Sequence, residues 1–241
     1  MKTIILIVLF SISLFAFSAN DIIKNVQHNI QSDSGYSNVT MVVTTSRGDR
    51  TMKMESWNRG NEKSFIKILY PKQDNGITFL KIDTTMWQYV PKIEKTIKIP
   101  SSMMMQSWMG SDFTNDDMSK ESSIVDDYIP TITSEDAQNY TLTLIPKLDA
   151  PVVWGKIIMT IQKEHFIPLK AVYFDEDGKE KRVLEYSDIK IVGTRYFPAV
   201  MTLIPSDKEN NKTVVTMDEI NFDTPIEDSR FTMSALKRYS R

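Results

Sequence analysis

The 241-residue chain is 41% hydrophobic, enough to bury a full core, and chains of this length often form one all-β domain. Its 29 basic side chains are balanced by 31 acidic ones, which argues against nucleic acid as a partner, because phosphate binding needs a basic excess. The chain has no cysteine, which excludes disulfides, thiolate nucleophiles, cysteine-bound metals and lipid attachment at a cleavage-site cysteine.

The first 19 residues have the layout of a secretory signal peptide. Lys2 precedes an apolar stretch over residues 4–17, and the small residues Ser18 and Ala19 follow. An uncleaved membrane anchor is the alternative, but a span needs roughly 20 apolar residues and this stretch is shorter. We therefore expect residues 1–19 to be a cleaved signal peptide and residues 20–241 to be one exported domain that is not itself lipidated.

Apolar periodicity predicts one helix followed by many strands. Asp21 can cap a helix in which Ile22, Val26 and Ile30 recur with a helical period. From Val39 the period drops to two, and the predicted strands cover residues 39–44, 51–58, 64–70, 76–82, 86–90, 96–99, 140–145, 156–162, 169–174, 182–191, 196–204 and 213–222. Turn signals at short spacing between them predict a mainly β fold, with a large curved antiparallel sheet or a partial barrel.

The alternation stops over residues 100–129. Five of the fourteen methionines fall between positions 103 and 118, together with Trp108 and Phe113. Flexible, polarizable methionine side chains suit surfaces that accept variable apolar shapes such as acyl chains, but the same residues can plug the core beneath a loop. A helical stripe from Ile124 to Ile129 follows and is expected to end at Pro130.

Aromatic residues of the predicted sheet are a second candidate surface. Trp87 and Tyr89 share one face of their strand, and Phe79 from the preceding strand is expected to join them. These side chains fit a filled core and a cavity wall equally well, because the inner face of a curved sheet serves as both.

Residues that usually carry catalysis form no recognisable site. His28 and His165, the two histidines, fall in different predicted elements, and the sequence contains no nucleophile elbow, zinc-binding helix or glycine-rich phosphate loop. We interpret the acidic residues at 112–117 and 126–127 as helix caps, and residues 175–178 as a hairpin turn. We therefore expect no catalytic residue, no bound metal and no cofactor.

Two short motifs resemble a known family. The first is W-x-Y-x-P at residues 87–91 with an I-P pair at 99–100, and the second is S-W-M-G-S-D-F-T-N-D-D at residues 107–117. This run resembles the LolA-like outer-membrane lipoprotein-sorting proteins of bacteria. The resemblance implies a half-open antiparallel barrel, with helices that cover a concave apolar face and shelter acyl chains during transport through the periplasm.

The resemblance also implies a function and a set of partners. The expected partners are lipid or acylated lipoprotein cargo, together with sorting partners at the inner and outer membranes. The candidate lipid-binding residues are Phe79, Trp87, Tyr89, Met103, Met104, Met105, Trp108, Met109 and Phe113. The family's carriers use an arginine in the early strands, and the sequence does not single out one of Arg47, Arg50 and Arg59.

Two other functions stay open at this stage. One is an envelope sensor or interaction module that uses the same groove to bind a protein partner. The other is a lipid hydrolase built on the acidic residues 112–117, although the sequence supplies no nucleophile or base for it.

Overall fold

The computed structural model describes residues 17–119 and 124–241. Residues 1–16 of the predicted signal peptide lie outside this part of the chain. The helices are α1 (Ala19–Ile30), α2 (Asn115–Ser119), α3 (Ile124–Asp127) and α4 (Met233–Arg238). The strands are β1 (Ser34–Thr45), β2 (Gly48–Arg59), β3 (Lys63–Tyr70), β4 (Thr78–Ile82), β5 (Thr85–Val90), β6 (Lys95–Lys98), β7 (Tyr128–Glu135), β8 (Asn139–Pro146), β9 (Lys156–Gln162), β10 (Ile167–Phe174), β11 (Glu180–Val192), β12 (Arg195–Pro205) and β13 (Lys212–Phe222).

The strands form one curved antiparallel sheet. Its order is β6-β5-β4-β3-β2-β1-β13-β12-β11-β10-β9-β8-β7. Every ladder joins strands that follow each other in sequence, except the one between β1 and β13 in the middle of the sheet. Within the described residues no ladder joins the edge strands β6 and β7, so the sheet is not closed. The predicted mainly β, half-open architecture is confirmed.

The inner, concave face carries two adjoining apolar clusters. In the first, Ile22, Ile23 and Val26 of α1 pack against strands β8 to β12. The second lies on β1 to β5 and β13 and includes Trp108 from the segment after β6. Met201 and Phe113 pack against both clusters, so the two form one continuous inner layer.

The outer, convex face of β2 to β5 carries a third cluster, formed with the end of the chain. Phe231, Ala235 and Leu236 are buried against Trp57, Phe65, Leu80 and Tyr89 of these strands. The sequence resemblance implied helices over the concave face, and α1 lies there, whereas α4 covers the opposite face.

Helix α1 begins two residues before the predicted capping residue. Ser18 is the N-cap: its hydroxyl accepts the Asp21 backbone N–H (3.2 Å) and donates to the Asp21 carboxylate (2.6 Å). Asp21 is therefore the third helical residue of a capping box. At the other end of the helix, the Asn29 amide donates to the His165 carbonyl (2.7 Å) and accepts the Tyr196 backbone N–H (3.0 Å), which ties α1 to the second half of the sheet.

The predicted helix over residues 124–129 is too long. Helix α3 ends at Asp127, and strand β7 begins at Tyr128 and includes Pro130. Proline lacks a backbone N–H, so it is tolerated in an edge strand, whose outward N–H groups have no partner strand. β7 is such an edge, which explains why a residue expected to stop a helix lies inside a strand.

Candidate functional site

The segment over residues 100–118 lies across the inner face and is called the cover segment below. Its turns are held by backbone bonds, including Trp108 N–H to the Phe113 carbonyl (2.8 Å) and Asp116 N–H to the Met104 carbonyl (2.7 Å). The Trp108 side chain is 0% exposed, and its ring lies 5.3 Å from the ring of Phe79 on β4. The cover segment thus inserts one large aromatic side chain into the inner layer.

Polar contacts attach the cover segment to the sheet. Arg50 on β2 donates to the backbone carbonyl of Met109. The Asp112 backbone N–H donates to Thr213 Oγ1 on β13 (3.0 Å), and the Thr213 hydroxyl donates to Asp112 Oδ2 (2.8 Å). Gly110 has φ +74°, and a Cβ there would lie 3.2 Å from Arg50 Nη2, so a glycine lets the guanidinium reach the segment. Of the three early arginines, Arg50 is the one that contacts the cover segment.

The third attachment is an ion pair between the cover segment and β11. Arg182 Nη1 and Nη2 each donate to an Asp117 carboxylate oxygen at 2.7 Å. The guanidinium also contacts two rings, at 4.3 Å from the Trp154 centroid and 4.6 Å from the Tyr173 centroid. Burial alone would raise the pKa of the Asp117 carboxyl, but the hydrogen bonds and charge of Arg182 outweigh it and hold that pKa below its usual range.

A cavity of about 320 Å³ opens beside this attachment. This volume lies at the lower end of the range of small-molecule sites, roughly 300–1,000 Å³. One wall, called the apolar wall, consists of Phe197, Met201, Met217, Ile220 and Phe222 on β12 and β13. The facing wall, called the polar wall, consists of Ser37, Ser56, Asn58 and Ser64 on β1 to β3. Asp117 and Met118 of the cover segment also line the cavity.

A smaller cavity of about 160 Å³ lies on the far side of the cover segment. Phe113, Trp154, Tyr173 and Arg182 line it. Asp117 borders both cavities, so the cover segment forms the partition between them. A displacement of this segment would join the two volumes.

The predicted cover residues fall into two groups. Trp108 and Met109 pack into the inner layer, and Phe113 packs between its two clusters. Met103 and Met105 are 40% and 53% exposed on the outside of the cover segment, and Met104 is half-buried. None of these six cover residues lines the 320 Å³ cavity. Phe113 lines the smaller cavity.

The predicted grouping of Phe79 with Trp87 and Tyr89 is wrong. In the β4–β5 ladder Phe79 lies opposite Gln88, whereas Leu80 lies opposite Trp87 and Thr78 opposite Tyr89. Residues directly opposite each other share a face of the sheet, so Phe79 lies on the inner face and the other two aromatics on the outer face. Trp87 and Tyr89 contact the cluster under α4 instead of either cavity.

Sequence analysis missed the residues that form the walls of the cavity. Eight of the fourteen methionines pack in the inner cluster on β1 to β5 and β13: Met41, Met52, Met54, Met86, Met109, Met118, Met201 and Met217. The sequence does contain a signal for these methionines, because they alternate with outward-facing residues in successive strands, as Met41 and Val43 do in β1 and Met52 and Met54 in β2. This alternation is less conspicuous than three consecutive methionines at 103–105. The methionine-rich surface is therefore the sheet itself.

Within residues 17–119 and 124–241, no group of three or more histidine and acidic side chains is placed to hold a metal ion. In the same part of the chain no helix has both the length and the apolar character needed to cross a bilayer.

Comparisons with known proteins connect this geometry to a family. A family model described as "-like: Uncharacterized protein" matches residues 60–238. No curated protein matches the chain by sequence.

Among solved structures, a DUF1329 family protein from Desulfovibrio piger superposes with a TM-score of 0.81 at 21% identity, covering 90% of this chain and 97% of that one. A domain described as an outer membrane lipoprotein-sorting protein from Vibrio parahaemolyticus gives 0.78 at 20% identity, covering 91% and 98%. A LolA superfamily protein from Nitrosomonas europaea gives 0.77 at 19% identity, covering 91% and 100%. At these identities the likeness is one of fold.

Proposed function

Because the chain belongs to the family whose model matches residues 60–238 and has the fold of LolA-like proteins, we propose that it is an exported carrier of acyl chains. Its cargo is a lipid or the acyl chains of a lipoprotein, held on the inner face of the sheet and carried through the periplasm towards the outer membrane. The observation that carries this proposal is the cavity of about 320 Å³ beside a segment attached by polar contacts.

The composition of the inner face supports binding of an acyl chain. Each methylene group that leaves water for an apolar site contributes about 0.8 kcal/mol. Methionine side chains adapt to different chain shapes at small cost, because they are unbranched and flexible. A wall of Met201, Met217 and their neighbours therefore suits a ligand that must be held firmly and released later.

The cover segment supplies the means of release. When it moves aside, Trp108 leaves the inner layer, and an acyl chain takes the place of the indole against Phe79. This exchange keeps the apolar area in contact with water small, since one apolar group replaces another. The candidate residues Phe79, Trp108, Met109 and Phe113 would then contact the cargo, and the exposed Met103 and Met105, with the half-buried Met104, would follow the segment outward. Trp87 and Tyr89 have no part in this proposal, because they lie on the outer face.

Native mass spectrometry with lipid extraction tests the proposal on the protein purified from a bacterial periplasm. We expect about one acyl-bearing ligand per chain. Met217→Trp fills the cavity from its apolar wall and should remove the bound ligand, whereas Thr216→Trp, the adjacent residue on the outer face of β13, should retain it. Thermal unfolding of both variants checks that each is folded. A folded Met217→Trp variant that still carries ligand would contradict the proposed cavity.

Two further measurements separate the carrier from the other functions. A pull-down from envelope extract should recover lipids and diverse acylated proteins, and stoichiometric recovery of one protein without lipid would favour the interaction module. Incubation with phospholipid should release no fatty acid, and turnover would contradict a carrier without catalytic activity.

A further inference from the structure

The polar wall of the cavity consists of paired neighbours on β1 to β3, with the apolar Ile66 opposite Ser56. On the sheet, Gly35 lies opposite Asn58, Asn58 opposite Ser64, and Ser37 opposite Ser56. The next inner-face positions along these strands are apolar, with Val39 opposite Met54 and Met54 opposite Ile68. Along β1 and β2, the inner face therefore changes from polar at the Ser37–Ser56 pair to apolar at the next inward-facing pair, Val39–Met54.

These polar side chains have no hydrogen-bond partner in residues 17–119 and 124–241. Among the described residues, none of the side chains of Ser37, Ser56, Asn58 and Ser64 makes a hydrogen bond, although all four are partly buried against the cavity. Their polar atoms are not among the fully buried unpaired atoms of the described residues, so water reaches them and a ligand oxygen can replace that water. The wall thus presents three hydroxyls and one amide to whatever fills the cavity.

Gly35 keeps this wall accessible. A Cβ at position 35 would lie 2.9 Å from Asn58 Oδ1 and 3.0 Å from Ser32 Oγ. Both distances are shorter than a normal van der Waals contact, so any larger residue would push these groups away. The glycine leaves the space into which the polar side chains project.

The wall and its surroundings favour an uncharged group. The four side chains are neutral. Lys81, which lies opposite Ser64 and also lines the cavity, donates its ammonium to the Asn61 carbonyl (2.6 Å). The Asp117 carboxylate is paired with Arg182, and Lys63, the residue before Ser64, projects from the opposite face of β3. The cavity shares Gln31, Ser32 and Gly60 with an open surface groove, so the polar wall lies near an entrance. That groove is balanced in charge, with Lys24, Arg59 and Arg195 against Asp33, Glu62 and Asp223.

We propose that the cavity binds the head of its ligand as well as the chain, and that this head is uncharged and rich in hydroxyl and ester oxygens. The chain lies against the apolar wall, and the head exchanges hydrogen bonds with Ser37, Ser56, Asn58 and Ser64 near the entrance. This inference rests on the proposed function, because it requires that an acyl chain occupies the cavity.

Three ligands with the same twelve-carbon chain test it: 1-monolauroylglycerol, methyl laurate and laurate, measured by displacement of a fluorescent fatty-acid probe. The intact protein should bind the glycerol ester about 10-fold more tightly than the methyl ester, which corresponds to two net hydrogen bonds. In the Ser37→Ala/Ser56→Ala double variant this preference should disappear while methyl laurate binds as before. Ser187→Ala, an exposed serine on β11, is the matched control and should retain the preference.

The outcomes separate the two proposals. Equal affinity of the intact protein for both esters would overturn the head site and leave the carrier standing, since the serines would then contact water only. Tightest binding of laurate would overturn the uncharged head. Failure of all three ligands to bind would overturn the carrier itself, and with it this inference. Thermal unfolding of the double variant confirms that it is folded before its binding is compared.

Discussion

Two segments cover opposite faces of the same strands, and they are attached in different ways. The C-terminal segment over residues 226–239 lies on the outer face of β2 to β5, where Phe231, Ala235 and Leu236 are buried. Its Arg230 guanidinium lies 4.1 Å from the Trp57 ring and 3.6 Å from the Tyr239 ring. This attachment is built on a continuous apolar cluster, to which the Thr78 hydroxyl adds a hydrogen bond to the Leu236 carbonyl (2.8 Å).

The cover segment on the inner face buries one large aromatic side chain, Trp108, and packs Phe113 and Met109 only partly buried against the inner layer. Its polar attachments are the contacts of Arg50, Asp112 and Asp117. Hydrogen bonds and ion pairs exchange with water at small net cost, whereas exposing a continuous apolar surface costs the full transfer free energy. The outer segment is therefore a permanent part of the fold, and the inner one is suited to movement. This contrast leads to four predictions.

Phe231→Ala should have the largest effect on stability. It removes a buried ring from the cluster under α4 and should lower the free energy of unfolding by about 3–5 kcal/mol in urea titrations. Met233→Ala, at an exposed position of α4, is the control and should change it by less than about 0.5 kcal/mol. Ligand bound per folded chain should not change, and a loss of ligand in folded Phe231→Ala would break the contrast.

Asp117→Asn should lower the free energy of unfolding by about 3 kcal/mol, the low end for broken buried ion pairs, because both partners keep some exposure. Its main effect should fall on the cover segment, because Arg182 is left without its counterion. Hydrogen exchange should speed up at the amides of Trp108 and Asn115, while the amides of Ala235 and Tyr239 stay protected. Uniform loss of protection across both segments would contradict independent movement of the cover segment.

Acid should loosen the cover segment before the C-terminal segment. The pKa of Asp117 is lowered in the folded protein, so its contribution to stability is present above the unfolded pKa of about 3.9 and is lost as pH falls through the folded value. Hydrogen exchange of the cover segment should therefore increase below about pH 4 in the native protein. In Asp117→Asn this pH dependence should be weaker, and an unchanged dependence would exclude the ion pair as its source.

Arg50→Met should have the smallest effect, about 1 kcal/mol, because it removes one hydrogen bond to the Met109 carbonyl from a partly exposed side chain. We expect a faster rate of ligand release in a stopped-flow transfer assay, with little change in thermal unfolding. Met105→Ser, an exposed change in the same segment, is the control and should leave both rate and stability unchanged. An unaltered rate of ligand release in Arg50→Met would mean that the arginine positions the cover segment without controlling release.

The sequence was sufficient to predict the architecture and its likeness to the LolA-like fold, and both are confirmed. Alternation at Val39, Met41 and Val43 fixes which residues face inward, and the motif over residues 107–117 lies in the cover segment. The strand β7 was missed because Pro130 is a stop signal in a helix and acceptable at a sheet edge, and edges are set by partners distant in sequence.

The site was harder to predict than the fold. Trp87 and Tyr89 were grouped with Phe79, because alternation gives the faces of one strand and does not give the register between two. The cavity walls escaped notice for a related reason: Ser37, Ser56 and Ser64 look like ordinary polar positions until register aligns them on the inner face. Methionines at 103–105 were conspicuous in sequence and are peripheral in space.

The ladder between β1 and β13 governs when the protein can finish folding. All other ladders join neighbours in sequence, so hairpins on either side can form as the chain emerges. β13 ends at Phe222, and α1, although it emerges first, packs on strands from the second half. Until β13 arrives, β1 is an open strand edge that can pair with another chain. Aggregation risk is therefore concentrated in the interval before β13 pairs, and pulsed hydrogen exchange should detect protection of the β1–β2 hairpin before that of the β1–β13 ladder.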